Sequence, residues 1–314
     1  MYIGIDLGGT NIAVGLVDAD GEIMAKDSTP TLKERNYKEI IRDMADISKR
    51  LVIDSGYSMS DINAVGIGSP GTIDNSRGLV VYSNNIRMDN VPMADEFKNY
   101  INKPINMEND ANAAAYGEYI ASGGKANSFV FMTLGTGVGG GIIINGDIYR
   151  GFNGAGAEMG HSSIVFDGKE CTCGKRGCLE AYASVTALIE QTRDAMKKHP
   201  ESIMNQWVEA EGHISGRTAF ECAKKEDKTA IAVKNTYIRY LSEGISNIIN
   251  IFQPEKFVIG GGISKEGDEL LEPIKEFVYK NDFNKFMPRT EISIAKLYND
   301  AGIVGAAMAA KNKF

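Results

Sequence analysis

The sequence predicts an α/β protein built from two related halves, and three observations carry that prediction. Short apolar strands alternate with helical periods along the chain. An opening pattern of strand, glycine turn and strand recurs 127 residues later, from Leu7 to Leu134. Glycine clusters directly follow apolar strands at Leu7, Leu134 and Ile259. A length of 314 residues suits one large or two modest domains. With 43% hydrophobic and 24% charged residues the composition is that of a folded globular chain. Only glycine departs from the usual: 35 residues, about 11% against ~7% in ordinary proteins. A formal charge of −7 argues against a chain whose main task is gripping nucleic-acid phosphates.

The first half reads as strands Tyr2–Leu7 and Ile12–Val17, a turn at Asp20-Gly21, and a third strand near Ile23. Ile40, Ile41, Met44, Ile47 and Leu51 give Tyr37–Ser55 a helical period. Strand Ala64–Gly68 runs into the turn Ser69-Pro70-Gly71, and strand Ile105–Met107 into Glu108-Asn109-Asp110 and a helix over Ala111–Tyr119. No basic segment followed by an apolar run opens the chain, so the expected location is cytoplasmic.

Beyond Ser122-Gly123-Gly124 the pattern repeats. Leu7-Gly8-Gly9-Thr10-Asn11 answers Leu134-Gly135-Thr136-Gly137-Val138, and Gly21-Glu22-Ile23 answers Gly146-Asp147-Ile148. The uncharged stretch Ser128–Asn145 is shorter than a membrane span and broken by glycines, so it reads as two strands and no membrane partner is expected. Helices are expected over Leu179–Lys197, Thr229–Phe252, Glu266–Tyr279 and Ala301–Ala310. Strands are expected over Lys256–Ile259 and Glu291–Leu297.

Three of the four cysteines fall within eight residues and follow a histidine: His161-x9-Cys171-x-Cys173-x4-Cys178. One imidazole and three thiolates suit tetrahedral Zn²⁺, and a closed four-ligand site is structural. Lys169, Glu170, Lys175 and Arg176 make the segment too polar for core cysteines. Cys222 lies apart in a helical stretch. Trp207 reads as packing, and His199 and His213 as solvated loop residues.

A glycine turn after a strand lets backbone N–H groups approach anionic oxygens, although strand ends carry glycine for turn geometry alone as well. Asp6 sharpens the first reading. A carboxylate closing an apolar strand is costly without a hydrogen bond or a cation, and Mg²⁺ beside phosphates would supply one. A plain turn-capping role is the alternative. Asp110 likewise has two readings: an N-cap for the helix that follows it, or a carboxylate that accepts a proton from a substrate hydroxyl. Glu108 ranks below it.

Asp6-Leu7-Gly8-Gly9-Thr10-Asn11 together with Gly135-Thr136-Gly137-Val138-Gly139 resembles the paired phosphate loops of the actin/hexokinase/sugar-kinase superfamily. The segment 156–180, with Glu158-x-Gly160-His161 and Cys171-x-Cys173-Gly174-x-x-Gly177-Cys178-Leu179-Glu180, resembles the signature of the ROK family (repressors, open reading frames and sugar kinases). That resemblance extends to the closing motif at 300–307. It implies two duplicated actin-like ATPase (ribonuclease H-like) α/β domains around a central cleft. The expected domains are 1–121, completed by a C-terminal helix at 300–314, and 122–299 with the zinc knot.

The resemblance further implies ATP and Mg²⁺ held by Asp6, Gly8, Gly9, Thr10, Asn11, Gly135, Thr136 and Gly137, with Gly260, Gly261 and Gly262 near the adenosine. It implies a sugar bound by Gly71, Asn85, Asn109, Asp110, Glu158, His161 and Glu180, with Asn84 a second choice beside Asn85. Asp110 is then the general base and His161 also a zinc ligand. Met88 stands where the family often has tryptophan, which leaves the choice of hexose open. The activity implied is phosphorylation of a hexose 6-hydroxyl, glucose first. N-acetylmannosamine, fructose, allose or a β-glucoside is the alternative acceptor, and a non-catalytic sugar sensor or regulator the alternative class. Family repressors carry a helix-turn-helix ahead of this region, whereas here the first phosphate-loop strand starts at Tyr2, so no nucleic-acid partner is expected. A homodimer or homotetramer is implied. Much of the glycine excess is assigned to phosphate turns and the zinc knot.

Overall fold

The computed structural model describes residues 1–314. The first half contains β1 (Tyr2–Leu7), β2 (Asn11–Val17), β3 (Ile23–Pro30), α1 (Tyr37–Asp54), β4 (Ala64–Ser69), β5 (Thr72–Asp74), β6 (Leu79–Ser83), β7 (Met88–Val91), α2 (Met93–Lys98), β8 (Ile105–Asn109) and α3 (Asp110–Ala121). Then follow β9 (Ser128–Leu134), β10 (Val138–Ile144), β11 (Asp147–Ile148), α4 (Glu180–Ala183), α5 (Val185–Lys198), α6 (Ile203–Glu211) and α7 (Thr218–Ala223). The chain closes with α8 (Lys228–Phe252), β12 (Lys256–Gly260), α9 (Asp268–Asn281), β13 (Glu291–Ile294) and α10 (Ala301–Lys313). Contacts gather into two compact units. One comprises Met1–Asn127, Gly141–Ala157 and Lys296–Phe314; the other comprises Ser128–Gly140 and Glu158–Ala295.

The repeat seen in the sequence is a repeat of topology. One five-stranded sheet has the order β3-β2-β1-β4-β8 and another the order β11-β10-β9-β12-β13. In each, the strand before the glycine turn sits centrally with a parallel neighbour: β1 pairs β4, and β9 pairs β12. Burial on both faces of such strands explains their near-continuous apolar runs, such as Phe129–Met132.

Helix α1 follows from its period. Asn36 and Glu39 form a reciprocal capping box, and Ile40, Ile41, Met44, Ile47, Leu51 and Val52 bury one stripe against the first sheet's core. Two expectations need correction. The helix expected over Leu179–Lys197 breaks at Ser184, whose extended backbone ends α4 and whose hydroxyl caps α5 at Ala187 N. A three-stranded sheet, β5-β6-β7, fills a stretch left unassigned, because its strands are short and bury too few residues to show a regular period.

Glycine also has a task that the sequence did not disclose. Helix α10 is buried over its whole first ten residues, and small side chains let it lie directly on backbone. A Cβ on Gly4 or Gly66 would run into the carbonyl of Ile303 or Ala306, one on Gly117 into that of Ala301, and one on Gly305 into that of Ala113. These glycines set how closely α10 approaches β1, β4 and α3. Gly66→Ala is therefore expected to cost about 3 kcal/mol, as overpacking against backbone leaves nothing flexible to yield. The readout is a lower denaturant midpoint at unchanged m-value, and an unchanged midpoint would contradict the packing account.

No helix is long and apolar enough to cross a membrane.

Candidate active site

In the first unit, the carboxyl ends of three adjacent parallel strands lie side by side. Asp6 of β1 pairs with Gly68 of β4, and Ser69 of β4 pairs with Asn109 of β8. Open α/β sheets bind ligands at this end, where strands stop and loops begin. The Asp6 carboxylate lies against the first turn of α10: a Cβ on Gly302 would stand 2.6 Å from its Oδ2. A helix N-terminus favours a negative charge, so the glycine at 302 leaves room for that approach.

The N-cap of α3 is Asn109, not Asp110. Asn109 Oδ1 accepts from Ala111 N at 3.0 Å and Asn112 N at 3.2 Å, and its Nδ2 donates to Gly71 O at 3.1 Å. Asp110 is the first helical residue, its Oδ1 accepting from Ala111 N at 2.9 Å. With capping done by its neighbour, the carboxylate of Asp110 is left for other work. Gly71 (φ +103°) lies against Tyr82 and Ser83, and Asn85 O lies 3.6 Å from where a Gly9 Cβ would stand. Thus Asp6, Gly9, Gly71, Asn85, Asn109 and Asp110 gather in one place. Asn85, Thr10 and Asn11 are exposed there.

Electrostatics mark the same spot. Burial first, and the neighbouring Asp110 second, push Asp6 up to about 7. Burial also raises Asp110, offset in part by hydrogen bonds from Ala111 N, its own N and the Asn109 side chain. Two half-buried carboxylates that resist ionisation together would be relieved by a cation, and hard oxygen donors suit Mg²⁺.

Ionised Asp6 is a cost to the empty fold. Because its folded value lies above 3.8, that cost is absent well below 3.8, grows as pH rises and is complete above about 7. Asp6→Asn is therefore expected to stabilise the ligand-free protein by about 2–4 kcal/mol at pH 8 and by little at pH 4. Urea unfolding at both pH values measures this, and an equal gain at the two would refute it.

The second unit holds the other glycine loops and the cysteines. Gly135 N donates to Gly137 O at 3.0 Å, Val185 N to Gly135 O at 2.9 Å and Thr186 Oγ1 to Thr136 O at 2.8 Å. Gly260 and Gly261 (φ +85°) are required by packing against Phe131 and Leu134, whereas Gly135 and Gly262 have open space beside them. Glu180 sits inside the loop. Its Oε2 accepts from Val138 N at 2.9 Å and its Oε1 from Thr172 Oγ1 at 3.0 Å, which is why residue 137 has no room for a side chain. Glu158 is exposed and opens the short helical turn that carries His161.

One ligand atom from each of His161, Cys171, Cys173 and Cys178 lies within 4.8 Å of all the others. His161 Nδ1 is 3.6 Å from Cys171 Sγ, and Cys173 Sγ is 3.7 Å from Cys178 Sγ. Gly174 (φ +85°) and Gly177 (φ +79°) turn the chain back, and Cys171 N–H bonds Lys175 O at 2.9 Å. Burial first and the other cysteines next push Cys178 up to about 12, while the Lys175 N–H lowers exposed Cys173. Three sulfurs and one ring nitrogen around a common point are the donor set of tetrahedral zinc, and the site fits that ion.

The ROK family model matches residues 2–313, nearly the whole chain. The chain belongs to the ROK family. The glucokinase of Thermotoga maritima is 38% identical to it, over 99% of this chain and 97% of that protein. The glucokinase of Halalkalibacterium halodurans is 37% identical over 99% and 95%. Among solved structures, a ROK family glucokinase from Streptomyces griseus in complex with glucose and AMPPNP superposes with a TM-score of 0.82, at 34% identity and 99% coverage of both chains. The duplicated sheets are thus those of the actin-like ATPase fold.

Against this ROK framework two residues, Glu118 and Arg150, escaped the sequence reading and a third, Glu108, was ranked below its part in the fold. Glu118, fully buried in α3, accepts from Lys296 N and Leu297 N, both at 2.8 Å, and so fixes the chain just ahead of α10. A carboxylate between Tyr116 and Tyr119 in an alanine-rich helix was its only local signal. Glu108, ranked low, is 2% exposed and ion-paired to Arg150. Nothing near Arg150 in sequence points to that partner, 42 residues away.

Proposed function

We propose that this ROK chain is an ATP-dependent hexose kinase that transfers the γ-phosphoryl group to the sugar 6-hydroxyl, with glucose as its acceptor. The observation that carries the reading is the pair of half-buried carboxylates with raised pKa, Asp6 on β1 and Asp110 just beyond β8, on either side of β4 and beside a glycine turn. The glucose and AMPPNP bound by the Streptomyces griseus relative support it.

Asp110 accepts the proton of the 6-hydroxyl as that oxygen bonds to the γ-phosphorus and the bond to the bridging oxygen of ADP breaks. A base with a raised pKa is better matched to an alcohol proton than an ordinary carboxylate. Asn109, Asn85 and Gly71 are the sugar-binding residues proposed in the first unit; the family resemblance suggests Glu158, His161 and Glu180 for that role in the second, each unit taken by itself. Backbone N–H groups of the loop at 8–11 are the phosphate donors proposed in the first unit, and the loops at 135–137 and 260–262 are the nucleotide-binding segments proposed in the second. Mg²⁺ bound at Asp6 would neutralise phosphate charge. Zinc held by His161, Cys171, Cys173 and Cys178 would brace the loop that carries Glu180.

The test is ADP release coupled to product identification across glucose, N-acetylmannosamine, fructose, allose and a β-glucoside. Glucose is expected to give the highest kcat/KM and glucose 6-phosphate as product. Absence of any sugar-dependent ADP release would overturn the kinase reading, and a preferred rival sugar would overturn glucose.

A further inference from the structure

Around Asp110 the backbone is held by an ion pair between buried Glu108 and partly exposed Arg150 that no part of the mechanism above uses. Glu108 is 2% exposed at the end of β8. Its Oε2 accepts from Arg150 Nε at 2.8 Å and Nη2 at 2.5 Å. Its Oε1 accepts from Asn109 N at 3.1 Å and Asn112 Nδ2 at 3.4 Å. One carboxylate therefore grips the residue before Asp110 and the residue two beyond it. Arg150 is itself fixed: Nη1 donates to Ile148 O at 3.2 Å, and its carbonyl accepts from Gly156 N at 2.9 Å.

We propose that Arg150, acting through Glu108, is a positioning residue that sets the orientation of the Asn109-Asp110 turn for phosphoryl transfer. That role rests on Asp110 being the base. A guanidinium offers two N–H groups to one carboxylate oxygen, which fixes the direction of Glu108 as well as balancing its charge. Removing Arg150 alone leaves a buried carboxylate without its counter-charge, which turns toward other donors or draws in water. Either response moves the amide of Asn109, and with it the cap that orients Asp110. A displacement of about 1 Å at a catalytic group is worth up to ~10²-fold in rate.

The test uses full-length Arg150→Met, Arg150→Lys, Glu108→Gln and the Glu108→Gln/Arg150→Met double variant, with Asp110→Asn alongside. Turnover is counted per folded chain by circular dichroism. Arg150→Met is expected to lower kcat about 10–100-fold while KM for ATP stays within about twofold. Arg150→Lys should recover part of the loss. The double variant should turn over faster than Arg150→Met, because a neutral amide side chain at position 108 still accepts from Asn109 N without needing a counter-charge. Wild-type kcat per folded chain in Arg150→Met, or a double variant no faster than the single, overturns the proposal. If Arg150→Met does not fold, the Arg150→Lys and Glu108→Gln kcat values decide: both at wild-type level overturns it. Asp110→Asn at wild-type turnover would instead bring down the base assignment itself.

Discussion

Asp110→Asn is expected to lower kcat by about 10²–10⁴-fold while the KM values for sugar and ATP change only a few-fold. The substitution keeps the shape of the side chain and can keep an acceptor on Ala111 N. The N-cap of α3 is unaffected, since Asn109 supplies it. On the proposed mechanism what is lost is the group that takes the proton, whose contribution arises in the transition state and so appears in kcat. The wild-type rate should also fall on the acid side, because burial raises Asp110 and protonation removes the base. That acid limb should lie above the usual carboxylate range. Steady-state kinetics between pH 5 and 9 measure both features, and an Asn variant at full speed would remove Asp110 from the chemistry.

Loss of the zinc proposed at His161, Cys171, Cys173 and Cys178 is expected to be the largest effect on stability. Metal analysis of the purified protein should find one zinc per chain. Cys173→Ser should abolish it at a cost of about 3–5 kcal/mol, comparable to the loss of a cross-link that closes a loop. Cys173 is exposed, so the loss comes from the ligand and not from a hole in the core. The damage should reach the glycine loop at 135–138. Glu180 Oε1 accepts from Thr172, between two ligands, and Oε2 holds Val138 N. A several-fold rise in KM for ATP is therefore expected in the surviving folded protein. Calorimetry and kinetics on the variant measure it; a zinc-free wild-type protein of full stability would contradict the assignment.

Local patterns were legible and distant partners were not. The alternation of strand, glycine turn and strand is a property of neighbours in the chain, so the duplicated halves could be read directly. The ligand spacing of the cysteines is local in the same sense, and the structure brings all four donors together. The choice between Asn109 and Asp110 as N-cap turns on where one helix begins, within a residue, which pattern reading does not resolve. Arg150 with Glu108, and Glu180 with Val138, are each 42 residues apart, and only folding pairs them.

Sequence by itself determined the family, the two glycine loops, the acid before the first loop and the cluster of one histidine and three cysteines. Tertiary structure decided which glycines face open space and which exist because α10 lies on backbone at Gly4, Gly66 and Gly117. It also decided that Asp6 and Asp110 are neighbours whose burial raises both pKa values. Motif identity is fixed by covalent order. Desolvation, close approach and coupling between charges depend on what surrounds a group in space, which is why the same glycine and aspartate letters acquired distinct roles only once the sheets and helices were packed.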